Sequence, residues 1–263
     1  MSIVGSENAH NIVTVSTDGW LCFWNSGMLN EPKKYLQLQY QGADQQPADP
    51  NQKNLLNVQC MDFEEDETDK FFIGTEDYNL YCGNLHSTNN HHIDQVLKGH
   101  HAPITKCHMH PGLSQSEKNI EMSDLMLTSS MDWTVKLWYP KISSEPIKQF
   151  ESSQEYVYDV QWSPTHPSVF TSVDGDGYID VWDINKDSES PIVRKAIDDK
   201  PRPIHCVKWA RDGKRIATGD TNGQVSIWQV DKDLYMPKPE DFTNMQRLMS
   251  NNSQQMIPQA KAK

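Results

Sequence analysis

The chain has 263 residues, 36% of them hydrophobic, 9% aromatic with eight Trp, and 23% charged, which is the balance of a folded globular protein and not of a disordered segment. A formal net charge of −12 works against nucleic acid or an anionic membrane as partner, because either requires clustered Lys and Arg. The opening Met1-Ser2-Ile3-Val4-Gly5-Ser6-Glu7 has no basic start or apolar stretch, no apolar run reaches bilayer length, and five Cys without a CxxC pair argue against a disulfide framework or a zinc motif, so a soluble intracellular chain with reduced thiols is expected.

In chain order, Ile12 to Ser16 and Leu21 to Trp24 predict two strands joined by the polar turn Thr17-Asp18-Gly19. They form a partial unit from about His10 to Gln39 with no clear innermost strand, and the polar stretch Gln41 to Lys53 predicts a surface loop. A second unit from Asn54 to Lys98 has a strand at Val58 to Phe63, a turn at Glu76-Asp77-Tyr78 and a strand ending Leu80-Tyr81-Cys82-Gly83, which lacks the Trp of its sisters and marks a degenerate repeat. The third, His100 to Phe150, has Thr105 to His110, a turn at Met131-Asp132-Trp133 and Val135-Lys136-Leu137-Trp138. The fourth, Glu155 to Ala196, has Val157 to Trp162, a turn at Asp174 to Gly177 and Ile179-Asp180-Val181-Trp182. The fifth, Arg202 to Val230, has Pro203 to Trp209, a turn at Asp220 to Gly223 and Val225-Ser226-Ile227-Trp228. Polar insertions at Gly83 to His92 and Pro111 to Asp124 predict further surface loops. Beyond Pro237-Lys238-Pro239-Glu240-Asp241, the spacing of Phe242, Met245, Leu248 and Met249 predicts a short amphipathic helix over 237–250, followed by a disordered tail at 251–263.

The last three Trp of these strands, at 138, 182 and 228, lie 44 and 46 residues apart. A period of that size with four short strands per unit is the signature of an all-β, WD40-type β-propeller, whose small twisted sheets bury their faces against one another. Residues 1–236 are thus read as about five blades, the first one partial, belonging to a larger propeller or capped at the open edge. Aligned on the last residue of the innermost strands, Cys60, Cys107 and Cys206 share one register and are expected to be small packing residues where blades crowd together.

Four residues of the third unit, His100, Thr128, Asp132 and Trp138, resemble the hydrogen-bond tetrad that links the strands of a WD40 blade. A His, an Asp and a hydroxyl could also suggest a nucleophilic triad, but the order and spacing match the structural set and no G-x-S-x-G elbow occurs. His108 and His110, two apart on a strand, make the best metal candidate, yet in the same alignment they occupy blade-packing positions beside Met61, Val160 and Val207, and Phe63, Trp162 and Trp209. The turn glycines open no helix and the carboxylates Asp174, Asp176 and Asp180 lack a twelve-residue calcium loop. No catalytic residue, metal or cofactor is therefore expected. Trp133, Tyr156 and Tyr158, at or beside the turns, are the candidate protein-binding residues, with packing between blades as the alternative.

Three stretches go further: Asn8-Ala9-His10-Asn11 with Val15-Ser16-Thr17-Asp18-Gly19; Thr128 to Trp138; and Tyr156-Val157-Tyr158-Asp159-Val160-Gln161-Trp162-Ser163-Pro164-Thr165-His166-Pro167. Over about residues 5 to 249 the chain resembles the C-terminal propeller of cytoplasmic dynein intermediate chains. The resemblance implies a seven-bladed propeller that docks on the helical tail of the dynein heavy chain, on cytoplasmic microtubules, as a non-catalytic scaffold in minus-end-directed transport. It assigns light-chain and dynactin binding to an N-terminal extension that does not precede these blades, so neither is expected of this chain, while contact with other dynein subunits is. The rival adaptor, a ubiquitin ligase substrate receptor, would carry Trp-Asp-x-Arg after a third strand, where this chain reads Trp182-Asp183-Ile184-Asn185. A propeller enzyme would need convergent His or carboxylates on the innermost strands, and Asp62 and Asp159 fall in different registers.

Overall fold

The computed structural model describes residues 12–25, 27, 29–39, 55–64, 69–87, 92–113, 122–198 and 202–260. The predicted loop Gln41 to Lys53 lies outside the described residues, as do the opening residues, the last three and parts of the two later insertions. Five separate antiparallel sheets follow one another along the chain. The first comprises β1 (Ile12–Val15), β2 (Trp20–Trp24) and β3 (Lys34–Gln37); the second β4 (Val58–Phe63), β5 (Lys70–Thr75), β6 (Leu80–Asn84) and β7 (Ile93–Leu97). The third has β8 (Ile104–Met109), β9 (Met126–Ser130), β10 (Val135–Trp138) and β11 (Lys148–Phe150); the fourth β12 (Val157–Trp162), β13 (Val169–Asp174), β14 (Tyr178–Asp183) and β15 (Val193–Ala196). The fifth has β16 (Ile204–Trp209), β17 (Arg215–Asp220) and β18 (Val225–Gln229), then α1 (Lys232–Tyr235) and α2 (Pro239–Ala260). In every sheet sequence neighbours pair, so each is a four- or three-stranded meander: a propeller blade.

The cores lie between blades, because a small sheet can bury its two faces only against its neighbours. Leu21 and Phe23 of the first blade pack with Val58, Phe71, Ile73 and Tyr81 of the second. Cys60, Phe72 and Leu80 of the second meet Ile104, Cys107, Met126 and Trp138 of the third. Leu127, Leu137 and Phe150 of the third meet Val160, Trp162, Phe170 and Trp182 of the fourth, and Val173, Ile179 and Val181 of the fourth meet Ile204, Val207 and Ile216 of the fifth. The second blade is a full four-stranded sheet despite its missing Trp. Gly83 stands there, where an added Cβ would come within 2.4 Å of the Phe71 ring, so Phe71 fills the space an indole takes elsewhere.

The cysteine register differs from the expected one. All four complete innermost strands carry a bulge, at Gln59, Thr105, Tyr158 and His205. β8 ends at Met109, one residue earlier than predicted, so Cys107 is equivalent to Met61, Val160 and Val207, while Lys106 stands in the register of Cys60, Asp159 and Cys206. His108 is then equivalent to Asp62 and Gln161, not to Met61 and Val160. These three side chains do the same thing: each reaches an N–H of the next blade's innermost strand. Asp62 Oδ2 accepts the Met109 N–H at 2.8 Å, His108 Nδ1 faces the Trp162 N–H at 3.4 Å, and Gln161 Oε1 accepts the Trp209 N–H at 2.9 Å.

Two further expectations change. The end of the Pro111 to Asp124 insertion is not a surface loop: Met122, Ser123 and Asp124 form a buried 3-10 turn. Met122 joins the core between the third and fourth blades, and Asp124 sits 2.6 Å from the Lys141 ammonium, which also lies 3.4 Å from the buried Glu64 of the second blade. Burial and the Glu64 carboxylate push Asp124 up to about 7. The C-terminal helix begins at Pro239, two residues after the predicted start, and continues ten residues past the expected end, so the predicted tail 251–263 is helical up to Ala260. Asn251 to Ile257 contain no Gly or Pro to stop it. Its Phe242, Met245 and Met249 close the core formed by Trp162, Phe170 and Ile184, held by Asn185 Nδ2 donating to the Asp241 carbonyl at 2.9 Å and by His166 Nε2 at 3.3 Å from Asp241 Oδ2.

Candidate protein-binding site

The predicted tetrad is assembled. Trp138 Nε1–H donates to Thr128 Oγ1 at 2.7 Å, the Thr128 hydroxyl lies 2.6 Å from His100 Nε2, and His100 Nδ1 lies 2.8 Å from Asp132 Oδ2. Only a neutral His100 with its proton on Nδ1 satisfies the row, because Nε2 must then accept the Thr128 proton. Burial lowers the His100 pKa in keeping with this; for Asp132, burial opposes ionisation but the His100, Thr134 and His101 hydrogen bonds hold its carboxyl well below the usual range. The row has the members of a nucleophilic triad in an arrangement that cannot attack: Thr128 is wholly buried and its oxygen already accepts the indole proton. What it does is tie β9, β10 and the loop before β8 into one body.

The Trp-to-hydroxyl part recurs with the repeat. Trp24 donates to Thr14 at 2.8 Å, Trp182 to Ser172 at 3.2 Å and Trp228 to Thr218 at 3.0 Å. In the second blade both members are gone together, with Ile73 and Gly83 in their places. Losing the pair leaves no buried donor without an acceptor, whereas losing one member would.

His108 and His110 do not form a metal site. Both are depressed by burial, to about 3 and about 4. His108 turns to the fourth blade's inner strand, and His110 Nε2 donates to the Pro167 carbonyl at 3.0 Å with its ring 4.8 Å from that of Trp162. Among the described residues no three His, Cys, Asp or Glu are placed to hold an ion.

The turns between the second and third strands of the blades all pass through one left-handed residue, and its identity divides them. It is Gly19, Gly177 and Gly223 in the first, fourth and fifth blades, with φ of 78°, 81° and 78°. In the second and third blades it is Tyr78 at 70° and Trp133 at 71°. An L-residue there costs roughly 1–2 kcal/mol that glycine avoids. A Cβ on Gly19 or Gly177 would strike the next blade, at 2.9 Å from the Leu56 carbonyl oxygen and 2.5 Å from that of Arg202. Tyr78 and Trp133 instead send their rings outward, 46% and 51% exposed. Burial therefore does not compensate their backbone strain.

Of the three predicted binding residues, Trp133 and Tyr156 are exposed, the latter 42%, and Tyr158 is not free. Tyr158 sits at the bulge of β12 with its ring 4.5 Å from His205 of β16 and 6.4 Å from Tyr156. It joins the fourth blade to the fifth and supports Tyr156. The loops preceding the innermost strands and the turns after the second strands open on one side of the blades, so Tyr78, Trp133 and Tyr156 share that side. Leu56, Glu155 and Arg202 each stand two residues before an innermost strand, so Glu155 holds in the fourth blade the position that Arg202 holds in the fifth. Glu76, Glu151 and Glu155 are exposed there and Asp176 is half-exposed.

The family description "Dynein axonemal intermediate chain 3 WD40 domain" matches residues 29–198, and a WD domain G-beta repeat matches 196–229. The cytoplasmic dynein 1 intermediate chain of Drosophila melanogaster is 31% identical over 260 residues, 97% of this chain. The chain belongs to the dynein intermediate chain family. It spans 37% of the length of that relative. Within this family setting, the tetrad fastens one blade, and the aromatic turns at Tyr78 and Trp133 stay exposed. Sequence reasoning missed Tyr78, although Asp77-Tyr78 aligns with Asp132-Trp133 and with Asp18-Gly19. The signal was a large residue in a column of glycines.

Proposed function

We propose that the chain is a non-catalytic scaffold subunit of cytoplasmic dynein, whose blades dock on the heavy chain tail and support minus-end-directed transport along microtubules, in contact with other dynein subunits. Family membership supports a dynein subunit. The observation that carries docking by the turn-bearing side is Trp133: a large ring on a rigid hairpin, exposed in a backbone conformation that three sister blades give to glycine. Rigid aromatic anchors on scaffold loops are the usual carriers of interface energy. The exposed outer face of the fifth blade, with Val225 and Ile227 each 70% exposed among the described residues, supports the reading that further blades complete a larger, seven-bladed ring.

A ubiquitin ligase receptor finds no support here. Asn185 occupies the place of the arginine that such a receptor uses, and its amide is engaged by α2. Asp183 before it is buried, accepting from Ser168 at 2.6 Å.

A tagged pull-down of the chain from native cytosol tests the proposal. Heavy chain is expected with the natural chain and at least several-fold less with Trp133→Ala and Tyr156→Ala combined. Recovery unchanged by the substitutions discards this docking side; no heavy chain with a folded natural chain discards the function.

A further inference from the structure

Resting on the reading that the turn-bearing side docks a partner, we infer that its aromatic turns, Tyr78 and Trp133 with Tyr156 beside them, receive a basic segment, with Lys or Arg side chains laid over the rings. Two observations carry this. The first is a contrast with five rings that do carry a cation. Lys34 lies over Phe23 at 5.9 Å, Lys70 over Phe72 at 5.5 Å, Arg194 over Tyr178 at 4.3 Å, Lys195 over Trp228 at 5.4 Å and Lys214 over Tyr235 at 6.0 Å. Among the described residues no cation covers Tyr78, Trp133 or Tyr156, the three exposed rings of that side. A cation over an aromatic face is worth about 0.5–1 kcal/mol when exposed and about 2 when a partner excludes water.

The second observation is the charge around the rings. Arg194 is held between Asp174 at 3.3 Å and Asp180 at 3.1 Å, Arg202 by Asp198 at 3.0 Å, and Lys136 by the Gly99 carbonyl and Gln149, both at 2.7 Å. The nearby cations are thus occupied at home. Among the described residues the Glu76 carboxylate meets the Asn57 amide and no cation, and neither Glu155 nor Asp176 has a cation within ion-pair reach, whereas Glu151 already has Lys136 as an electrostatic neighbour. A surface of uncovered rings edged by unneutralised carboxylates complements a basic stretch and repels an acidic one. The left-handed turns add selectivity, since they aim the rings away from the blades that would otherwise bury them.

The test uses the full chain and two fluorescein-labelled peptides of about 15 residues, one of mixed Lys, Arg and Ala, the other with Glu in place of every basic residue, read by fluorescence anisotropy at low and high salt. The basic peptide is expected to bind and the acidic one not. Tyr78→Gly with Trp133→Gly is expected to weaken binding roughly tenfold or more, with a melting temperature equal to or above that of the natural chain because strain is relieved. Glu76→Lys with Glu155→Lys is expected to weaken it similarly, whereas Glu31→Lys with Glu240→Lys, away from these turns, is not. Equal loss from both charge-reversal pairs, or no loss from the glycine pair, would reduce the binding to diffuse attraction and overturn the inference. The same variants are run in heavy-chain pull-downs. Heavy-chain loss with the glycine pair but not with Glu76→Lys and Glu155→Lys overturns the basic occupant and keeps the docking side. Ring-dependent peptide binding without heavy-chain recovery supports the inference and removes the docking reading.

Discussion

The third and fifth blades carry nearly the same third strand, Val135-Lys136-Leu137-Trp138 and Val225-Ser226-Ile227-Trp228, yet they live in different surroundings. Val135 is 3% exposed and Leu137 wholly buried; Val225 and Ile227 are each 70% exposed. Both strands alternate in the same way, and both hang a Trp on a hydroxyl ten residues upstream. The difference is that, among the described residues, the third blade has a neighbour on each side and the fifth has one. A propeller blade supplies half of two cores and completes neither alone, so a local pattern states which face is apolar and not whether that face is covered.

The largest expected effect compares the two equivalent side chains. Leu137→Ala opens a cavity in the core between the third and fourth blades and should destabilise by about 2–5 kcal/mol. Ile227→Ala removes a mostly solvated side chain and should stay within about 0.5 kcal/mol. Urea denaturation followed by tryptophan fluorescence measures both, and a cost for Ile227→Ala approaching that of Leu137→Ala would mean that the fifth blade's outer face is covered in solution.

A middle-sized contrast lies in the hydroxyls. Thr128→Val strips the acceptor from a buried Trp138 indole and the donor from His100, and should cost about 2–3 kcal/mol. Thr218→Val frees the indole of the half-exposed Trp228, which water can reach, and should cost about 1 kcal/mol or less. Equal costs in the same melts would show that Trp228 is as desolvated as Trp138. The smallest effect is on chemistry alone. Cys206, exposed on the fifth blade, should react with a maleimide in the folded protein within minutes, while Cys107, whose thiol the neighbouring Cys60 thiol and burial together push well above its ordinary pKa, should react only on unfolding. Peptide mass mapping of the first adduct decides it; prior labelling at Cys107 would place that seam among the mobile parts of the fold.

Much of this was readable beforehand for reasons visible in particular residues. The Asp of each turn with the Gly of three of them, the Trp every 44 or 46 residues and the set His100, Thr128, Asp132 and Trp138 are local or strictly periodic, and strand and turn chemistry act over that range. The cysteine register was misread because β8 ends at Met109 and not at the predicted His110, so aligning the innermost strands on their last residue slipped β8 by one against its sisters. Between binding and packing between blades, Tyr158 could not be assigned beforehand because its partner, His205, lies on the next blade, 47 residues away. The buried turn at Met122 to Asp124 was hidden because its charge is met by Lys141 and its apolar surface by the core between the third and fourth blades, not by anything adjacent in sequence.

By itself, then, the sequence determined the blades, their turns, the fastening tetrad and the amphipathic helix, since backbone geometry, hydrogen-bonding capacity and hydrophobic period are properties of short segments. Tertiary structure alone decided which apolar faces are covered, where α2 docks, and that Tyr78 and Trp133 stand outward in a left-handed turn. Those outcomes depend on what the next blade brings to within a few ångströms: the Leu56 and Arg202 backbones beside Gly19 and Gly177, and open solvent around the Tyr78 and Trp133 rings.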